Sequence, residues 1–330
     1  MIAVIDYPGA QAAAVFGLRD LLQVAGRLHA ARVPEPRGLT VVSLHSDGLP
    51  ARLDGPLAAV ILPPSLGEQT PRDDSGALGA WLRARHAEGT VLCSVCAGAF
   101  LLAETGLLRG RPATTHFGLK APFAARFPEV ALDTDRLLIQ DGDLVMAGGL
   151  MAWVDLGLCL VGRFLGAESQ VATARYFLVD AGPREQRAYS SFAPLTTHGD
   201  AAVLRVQRWL EGQFGERVSL PAMARAAALG ERTFLRRFRA ATGQNPRDYL
   251  QQLRVEQARA LIEQSTLTMD EIAGRLGYED TGAFRRVFRR ITGLAPLAYR
   301  RRFRPASIGK TVQGEKQDCS SGRNPGTSFD

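Results

Sequence analysis

Short apolar runs alternate with helically spaced apolar positions through the first half of the chain. "IAVID" (2–6), "TVVSL" (40–44), "AAVIL" (58–62) and "TVLCSV" (90–95) are rich in Val, Ile and Leu. Runs this short and this continuous predict strands buried on both faces. Between them, "AVFGLRDLLQVAGRL" (14–28) and "GALGAWLRARHAE" (76–88) carry apolar residues at three- and four-residue intervals. Strands separated by such helices predict a parallel sheet with helices on both sides. "LDTDRLLIQDGDLVMAGG" (132–149) reads as a hairpin turning at Asp141-Gly142. "MAWVDLGLCLVGRFLG" (151–166) and "SQVATARYFLVD" (169–180) read as helices, with Asp155 as a structural hydrogen-bonding group inside the first.

The pattern then changes. Residues 181–200 are rich in Pro, Gly, Ser and Thr, lack periodicity and read as a linker. From Ala201 the spacing is almost wholly helical, and after Pro305 a polar, Gly/Ser-rich stretch reads as a disordered tail.

Composition sharpens the division. A chain of 330 residues is long enough for two domains. From Ala201 to Arg304 there are 20 Arg, no Lys and 10 acidic residues, a net charge of +10 against +7 for the whole chain, so the remainder carries −3. A basic block of domain size beside a mildly acidic one points to a polyanionic partner for that block alone. No apolar stretch reaches the ~18 residues of a membrane span, and the N-terminus lacks the basic start of a signal peptide. Four cysteines without a framework point to a reducing cytoplasm. No metal site or cofactor is expected.

The basic block contains a repeat. "FLRRFRAATGQNPRDY" (234–249) matches "FRRVFRRITGLAPLAY" (284–299), and "MARAAA" (223–228) matches "IAGRLG" (272–277), at offsets of 50 and 49. Each unit reads as helix, turn, helix. In the second helices, from about Glu231 to Ala241 and from Thr281 to Ile291, the pairs Phe234/Phe238 and Phe284/Phe288 face inward. Arg232, Arg236, Arg237 and Arg239, and then Arg285, Arg286, Arg289 and Arg290, fall on the other faces. "PRDYLQQLRVEQARALIEQ" (246–264) reads as a long connecting helix with Pro246 in its first turn. An arginine-rich helix carried this way suits a DNA major groove, where guanidinium groups take guanine bidentately or grip phosphates.

Residues 203–303 closely resemble the AraC/XylS family of transcription regulators, most specifically through "DEIAGRLGYEDTGAFRRVFRRITGLAPLAYR". The resemblance implies a sequence-specific, all-α double helix-turn-helix domain that binds double-stranded operator DNA. By position, it implies base-facing roles for Arg232, Thr233 and Arg236 in the first unit, and for Thr281, Gly282, Arg285 and Arg286 in the second. Gly282 departs from the longer side chains common in the family.

The front half contains a different chemistry. In "VLCSVCAGAFLLAETGLLRGRPATTHF" (91–117), a strand, the small-residue turn around Cys96 and a helix make a nucleophile-elbow arrangement. A helix N-terminus there is expected to lower the thiol pKa. Cys93 completes a CxxC pair, which leaves a dithiol redox role as an alternative. Residues 1–180 resemble the PfpI-type branch of the class I glutamine amidotransferase-like superfamily. Combined with the AraC-type half, the chain resembles the GlxA-type regulators. This implies a flavodoxin-like α/β three-layer sandwich, dimeric, with a small-molecule pocket at the elbow bordered by Cys96, Ala97 and His116. Hydrolases of the branch carry His after the cysteine, a glutamate on the first helix and a Pro-Gly-Gly loop. Here Ala97, the Glu-free "QAAAVFGLRDLL" and "LPPSLG" stand in those places, so no catalytic residues are expected.

The expectation is therefore a cytoplasmic, nucleoid-associated, non-enzymatic transcription regulator. Its parts are a sensing and dimerising domain (1–182), a linker (183–202), a DNA-binding domain (203–304) and a tail (305–330). The alternatives are a thiol hydrolase or amidase with a DNA-targeting module, and a redox-responsive regulator acting through Cys93 and Cys96.

Overall fold

The computed structural model describes residues 1–34, 38–182 and 184–304, so the expected tail at 305–330 lies outside the described residues. The first half forms eight strands: β1 (Ile2–Asp6), β2 (Val41–His45), β3 (Ala59–Leu62), β4 (Val91–Val95), β5 (Pro112–Ala113), β6 (Ala131–Leu132), β7 (Leu138–Asp141) and β8 (Leu144–Ala147). Its helices are α1 (Ala12–Ala30), α2 (Ala77–Ala87), α3 (Gly98–Glu104), α4 (Lys120–Arg126), α5 (Trp153–Leu165) and α6 (Ala167–Phe177).

Six strands make one sheet in the order β2-β1-β3-β4-β8-β7, parallel except for the antiparallel β7–β8 hairpin. Strand alternation divides the core in two. Ile2, Val4 and Cys93 join the α1/α5 side, whereas Ala3, Ile5 and Leu92 join the α2/α3 side. This is why β1, β3, β4 and β8 are nearly continuous apolar runs: neither face of these strands meets water. The hairpin is shorter than the sequence pattern suggested. Asp141 pairs with Leu144, so the two-residue loop is Gly142-Asp143, and Gly142 takes the positive φ that this loop requires.

The second half is all-helical: α7 (Ala201–Gln213), α8 (Leu220–Ala226), α9 (Glu231–Thr242), α10 (Pro246–Gln264), α11 (Met269–Arg275), α12 (Thr281–Thr292) and α13 (Pro296–Phe303). The sequence repeat becomes a geometric one. Phe238 meets Tyr249 edge-on at 5.3 Å and 88°, and Phe288 meets Tyr299 at 5.3 Å and 85°. The hydroxyls of Thr242 and Thr292 donate to the carbonyls of Phe238 and Phe288, and Gly243 and Gly293 close the helices with positive φ. Each unit has its own apolar cluster, with α10 contributing to both.

The turns between α8 and α9 and between α11 and α12 show why the repeat carries different residues at one position. Ala228 and Gly277 occupy equivalent places, 49 apart, and both have left-handed φ, +55° and +72°. A β-carbon on Gly277 would come within 2.6 Å of the Gly215 carbonyl oxygen, so the second turn is confined to glycine.

Candidate functional site

On α9, Arg232, Thr233 and Arg236 are exposed while Phe234 and Phe238 are fully buried. On α12, Arg285 and Arg286 are exposed, and Thr281 and Gly282 are half-buried in the first turn. Asp280 caps that turn, accepting the Gly282 and Ala283 N–H groups at 2.8 and 2.9 Å, and these bonds hold its carboxyl below its ordinary pKa. A β-carbon at Gly282 would press on the Asp280 carboxylate at 3.1 Å, so a bare glycine leaves this cap undisturbed.

Not every arginine of the basic block is free. Arg237 makes a bidentate pair with Asp200, at 2.8 and 2.7 Å, and Asp200 also caps α7. Arg254 donates to the Phe214 and Glu216 carbonyls, Arg205 to those of Ala226 and Ala227, and Arg300 to that of Leu267. The sequence reading placed Arg237 with the outward arginines; a partner 37 positions upstream removes it from them. Arg254 and Arg259 fall on the buried face of α10 among Leu250, Val255, Ala258 and Ile262, and that spacing was the available sign of a structural role.

In the front half, Cys96 stands at the end of β4 with φ +54°, the strained backbone of an elbow. The helix after it approaches β3 so closely that a β-carbon on Gly98 would lie 2.5 Å from the Leu62 carbonyl oxygen. The expected low thiol pKa is not found. Burial pushes Cys96 up to about 11, against a smaller downward pull from the Ala97 N–H. Helix α3 spans only seven residues, and desolvation outweighs what its N-terminus offers. Cys93 is also pushed up by burial, and Cys93, Cys96 and Cys159 are all free thiols.

Cys96 and Ala97 are buried, 5% and 6% exposed. His116 is half-buried, stacks on Phe117, and accepts the Gly118 N–H on Nδ1 at 3.0 Å; burial lowers its pKa. The side chain that reaches Cys96 is that of its neighbour Thr115, whose hydroxyl donates to the Cys96 carbonyl at 2.7 Å. A cavity of about 610 Å³ opens at the C-terminal ends of β1 and β3, lined by Tyr7, Gly9, Ser65, Gly67 and Leu101. Tyr7 also donates to the Pro63 carbonyl and lies near enough to Cys96 for the thiol to contribute to its raised pKa.

Sequence reasoning missed the residues that join the halves. Gln186, 2% exposed, reaches the Thr115 and Arg136 carbonyls at 2.9 and 3.0 Å and accepts the Phe117 N–H at 3.2 Å. Gly148 leaves the room it needs: a β-carbon there would overlap the Gln186 amide. On the other side, Arg259 donates to the carbonyls of Ala188 and Arg187 at 3.0 and 2.9 Å, and Glu256 accepts the Phe192 N–H at 3.1 Å. The stretch expected as a linker is thus hydrogen-bonded to both halves. Asp155 has the structural role expected of it, paired with Arg184 from the same stretch.

Comparison with known proteins agrees with this architecture. Residues 223–302 match the helix-turn-helix domain family, and residues 55–162 match the DJ-1/PfpI family. The chain joins a DJ-1/PfpI domain to an AraC-type helix-turn-helix domain. It is 29% identical over 302 residues to the HTH-type transcriptional regulator GlxA of Rhizobium meliloti (strain 1021), covering 88% of this chain and 91% of that one. It is 27% identical over 324 residues to the HTH-type transcriptional regulator ArgR of Pseudomonas aeruginosa, covering 94% and 96%. The HTH-type transcriptional activator RhaS of Salmonella newport is 36% identical over 107 residues, 32% of this chain and 38% of that one. The protein is a DNA-binding transcription regulator. Among the described residues of this regulator, no helix is long and apolar enough to cross a membrane, and no group of three or more His, Cys, Asp and Glu is placed to hold a metal ion.

Proposed function

We propose that this regulator reads its operator with Arg232, Thr233 and Arg236 of α9 and with Thr281, Gly282, Arg285 and Arg286 of α12. The observation that carries this reading is the duplicated unit. Each helix buries a phenylalanine pair and leaves arginines in solvent, Arg232, Arg236 and Arg239 on α9 and Arg285, Arg286, Arg289 and Arg290 on α12, and both units are built on the one helix α10. Exposed guanidinium groups on such helices supply bidentate contacts to guanine and further contacts to phosphate. The domains run as 1–182 and 203–304, with 183–202 between them, in a cytoplasmic protein.

The DJ-1/PfpI domain senses a small metabolite and forms a homodimer. The cavity beside the elbow supports the first role through Tyr7, which lines it and lies near enough to feel the Cys96 thiol; Cys96, Ala97 and His116, expected at the pocket, are not among its lining residues. The apolar side chains of Phe16, Leu66, Met151, Tyr176 and Leu178, all more than half exposed, support the second. Cys96 does not serve as a nucleophile: its thiol is held protonated, and a nucleophile needs a base within hydrogen-bonding reach. Hydrogen bonds from Cys96 to Thr115 and on to Gln186, continued along the chain to the Arg187 and Ala188 carbonyls that Arg259 holds, give ligand binding a route to the DNA reader through a shift of population.

The test is binding of full-length protein to operator and to random DNA. Arg236→Ala and Arg285→Ala each lower operator affinity by about 1–3 kcal/mol and lower random-DNA affinity less. Equal losses on both DNAs would reduce these arginines to phosphate contacts and overturn the base-reading assignment.

A further inference from the structure

We propose that the cleft between the two domains is a second ligand site, and that it takes a small metabolite bearing a carboxylate or phosphate group. The cleft has a volume of about 830 Å³, within the range of small-molecule sites, which concentrate at domain interfaces. It has three walls. Phe117, Gly118 and Lys120 come from the DJ-1/PfpI domain, Arg187 and Ser190 from the joining segment, and Gln252, Glu256, Arg259 and Arg290 from the DNA-binding domain.

Charge sets the class of ligand. Four cations line the cleft, Lys120, Arg187, Arg259 and Arg290, against two lining carboxylates, Asp135 and Glu256; Glu185 pairs with Arg187 and Asp248 lies 3.9 Å from Arg290, so Lys120 and Arg259 are the cations that bear the argument. Arg259 is 6% exposed, and its Nε–H has no hydrogen-bond partner although both terminal nitrogens are engaged with backbone carbonyls. Glu256 approaches that nitrogen only to 3.8 Å and accepts the Phe192 N–H instead. Gln244 Oε1, an unpartnered acceptor lining the same cleft, suits a hydroxyl or N–H elsewhere on the ligand and not its anionic group. A buried donor left unpaired is costly, and an anion is the partner a guanidinium accepts most strongly. A ligand here would also touch both domains at once, so its binding would favour the relative placement seen in this structure. The site is distinct from the elbow cavity and goes beyond the sensing role proposed for it.

The experiment is isothermal titration of the full chain with inorganic phosphate and with succinate, in sodium chloride of matched ionic strength. The expected result is saturable binding of at least one of the two. Lys120→Gln, a change at an exposed position, should weaken that binding tenfold or more, and Cys96→Ala should leave it unchanged. If phosphate binds and succinate does not, the group recognised is phosphate; the reverse identifies carboxylate. Absence of saturable binding by either would overturn the proposal. Equal binding in Lys120→Gln, or loss in Cys96→Ala, would also overturn it. Arg259→Gln is a secondary variant, because Arg259 also holds the joining segment. Operator affinity of Lys120→Gln without added anion should equal that of the unmodified protein, so failure of this site leaves the DNA-reading assignment standing.

Discussion

The side-chain amide of Gln186 donates to the carbonyl of Thr115 at 2.9 Å, and Thr115 in turn donates its hydroxyl to the carbonyl of Cys96. A residue of the joining segment is thereby hydrogen-bonded to the elbow, while its neighbours Arg187 and Ala188 are held by Arg259 of the DNA-binding domain.

Gln186→Ala should be destabilising. It leaves the Phe117 N–H and the buried carbonyls of Thr115 and Arg136 without this partner, at a cost of about 1–3 kcal/mol. Gln186→Glu should be worse at neutral pH, because a carboxylate then faces two carbonyl oxygens. Denaturant unfolding of the two variants measures the order, and limited proteolysis should show faster cleavage around residues 184–192.

The two equivalent turns should respond oppositely to matched substitutions. A β-carbon in the left-handed region costs roughly 1–2 kcal/mol, and glycine gives back part of the gain through its freer unfolded chain, about 0.5–1 kcal/mol. Ala228→Gly should therefore be neutral to mildly stabilising. Gly277→Ala should destabilise by more, because its new β-carbon meets the Gly215 carbonyl as well as the strained φ. Thermal unfolding of both variants separates these outcomes.

Cys96 should be slow to alkylate. With its pKa at about 11 against an ordinary 9.0, it holds about a hundredfold less thiolate near neutral pH, and burial adds to the protection. Iodoacetamide labelling followed by mass spectrometry should find Cys96 unmodified when an unhindered thiol control is complete. Its rate should climb with pH while the fold survives. Rapid labelling at pH 7 would revive the nucleophile reading.

Asp200 couples stability to acid. Its bonds to Arg237 and to the first N–H groups of α7 hold its carboxyl at about 2, below its ordinary 3.8. A carboxyl lowered in the folded state adds stability above its unfolded pKa, and that contribution is lost as pH falls through the folded value. The loss is thus expected between about pH 4 and pH 2. Asp200→Asn should be less stable than the unmodified protein at pH 7, and the difference should shrink as pH falls through this window. A constant difference would show that the carboxylate's charge contributes nothing through either the ion pair or the cap.

The sequence by itself determined the elements and the repeat. β1, α10 and the aromatic pairs Phe234/Phe238 and Phe284/Phe288 follow from spacing, because a strand turns over every two residues and a helix returns every three or four. The turn around Cys96 was legible for the same local reason. Only the tertiary structure decided which arginines remain free, that burial raises the thiol pKa of Cys93, Cys96 and Cys159, and whether residues 184–192 hang loose. Arg237 and Asp200 are 37 positions apart, Gln186 and Thr115 are 71 apart, and Arg259 and Ala188 are 71 apart. Partners so distant are chosen by packing and by the cost of leaving a buried polar group unpaired, and no local periodicity records that choice.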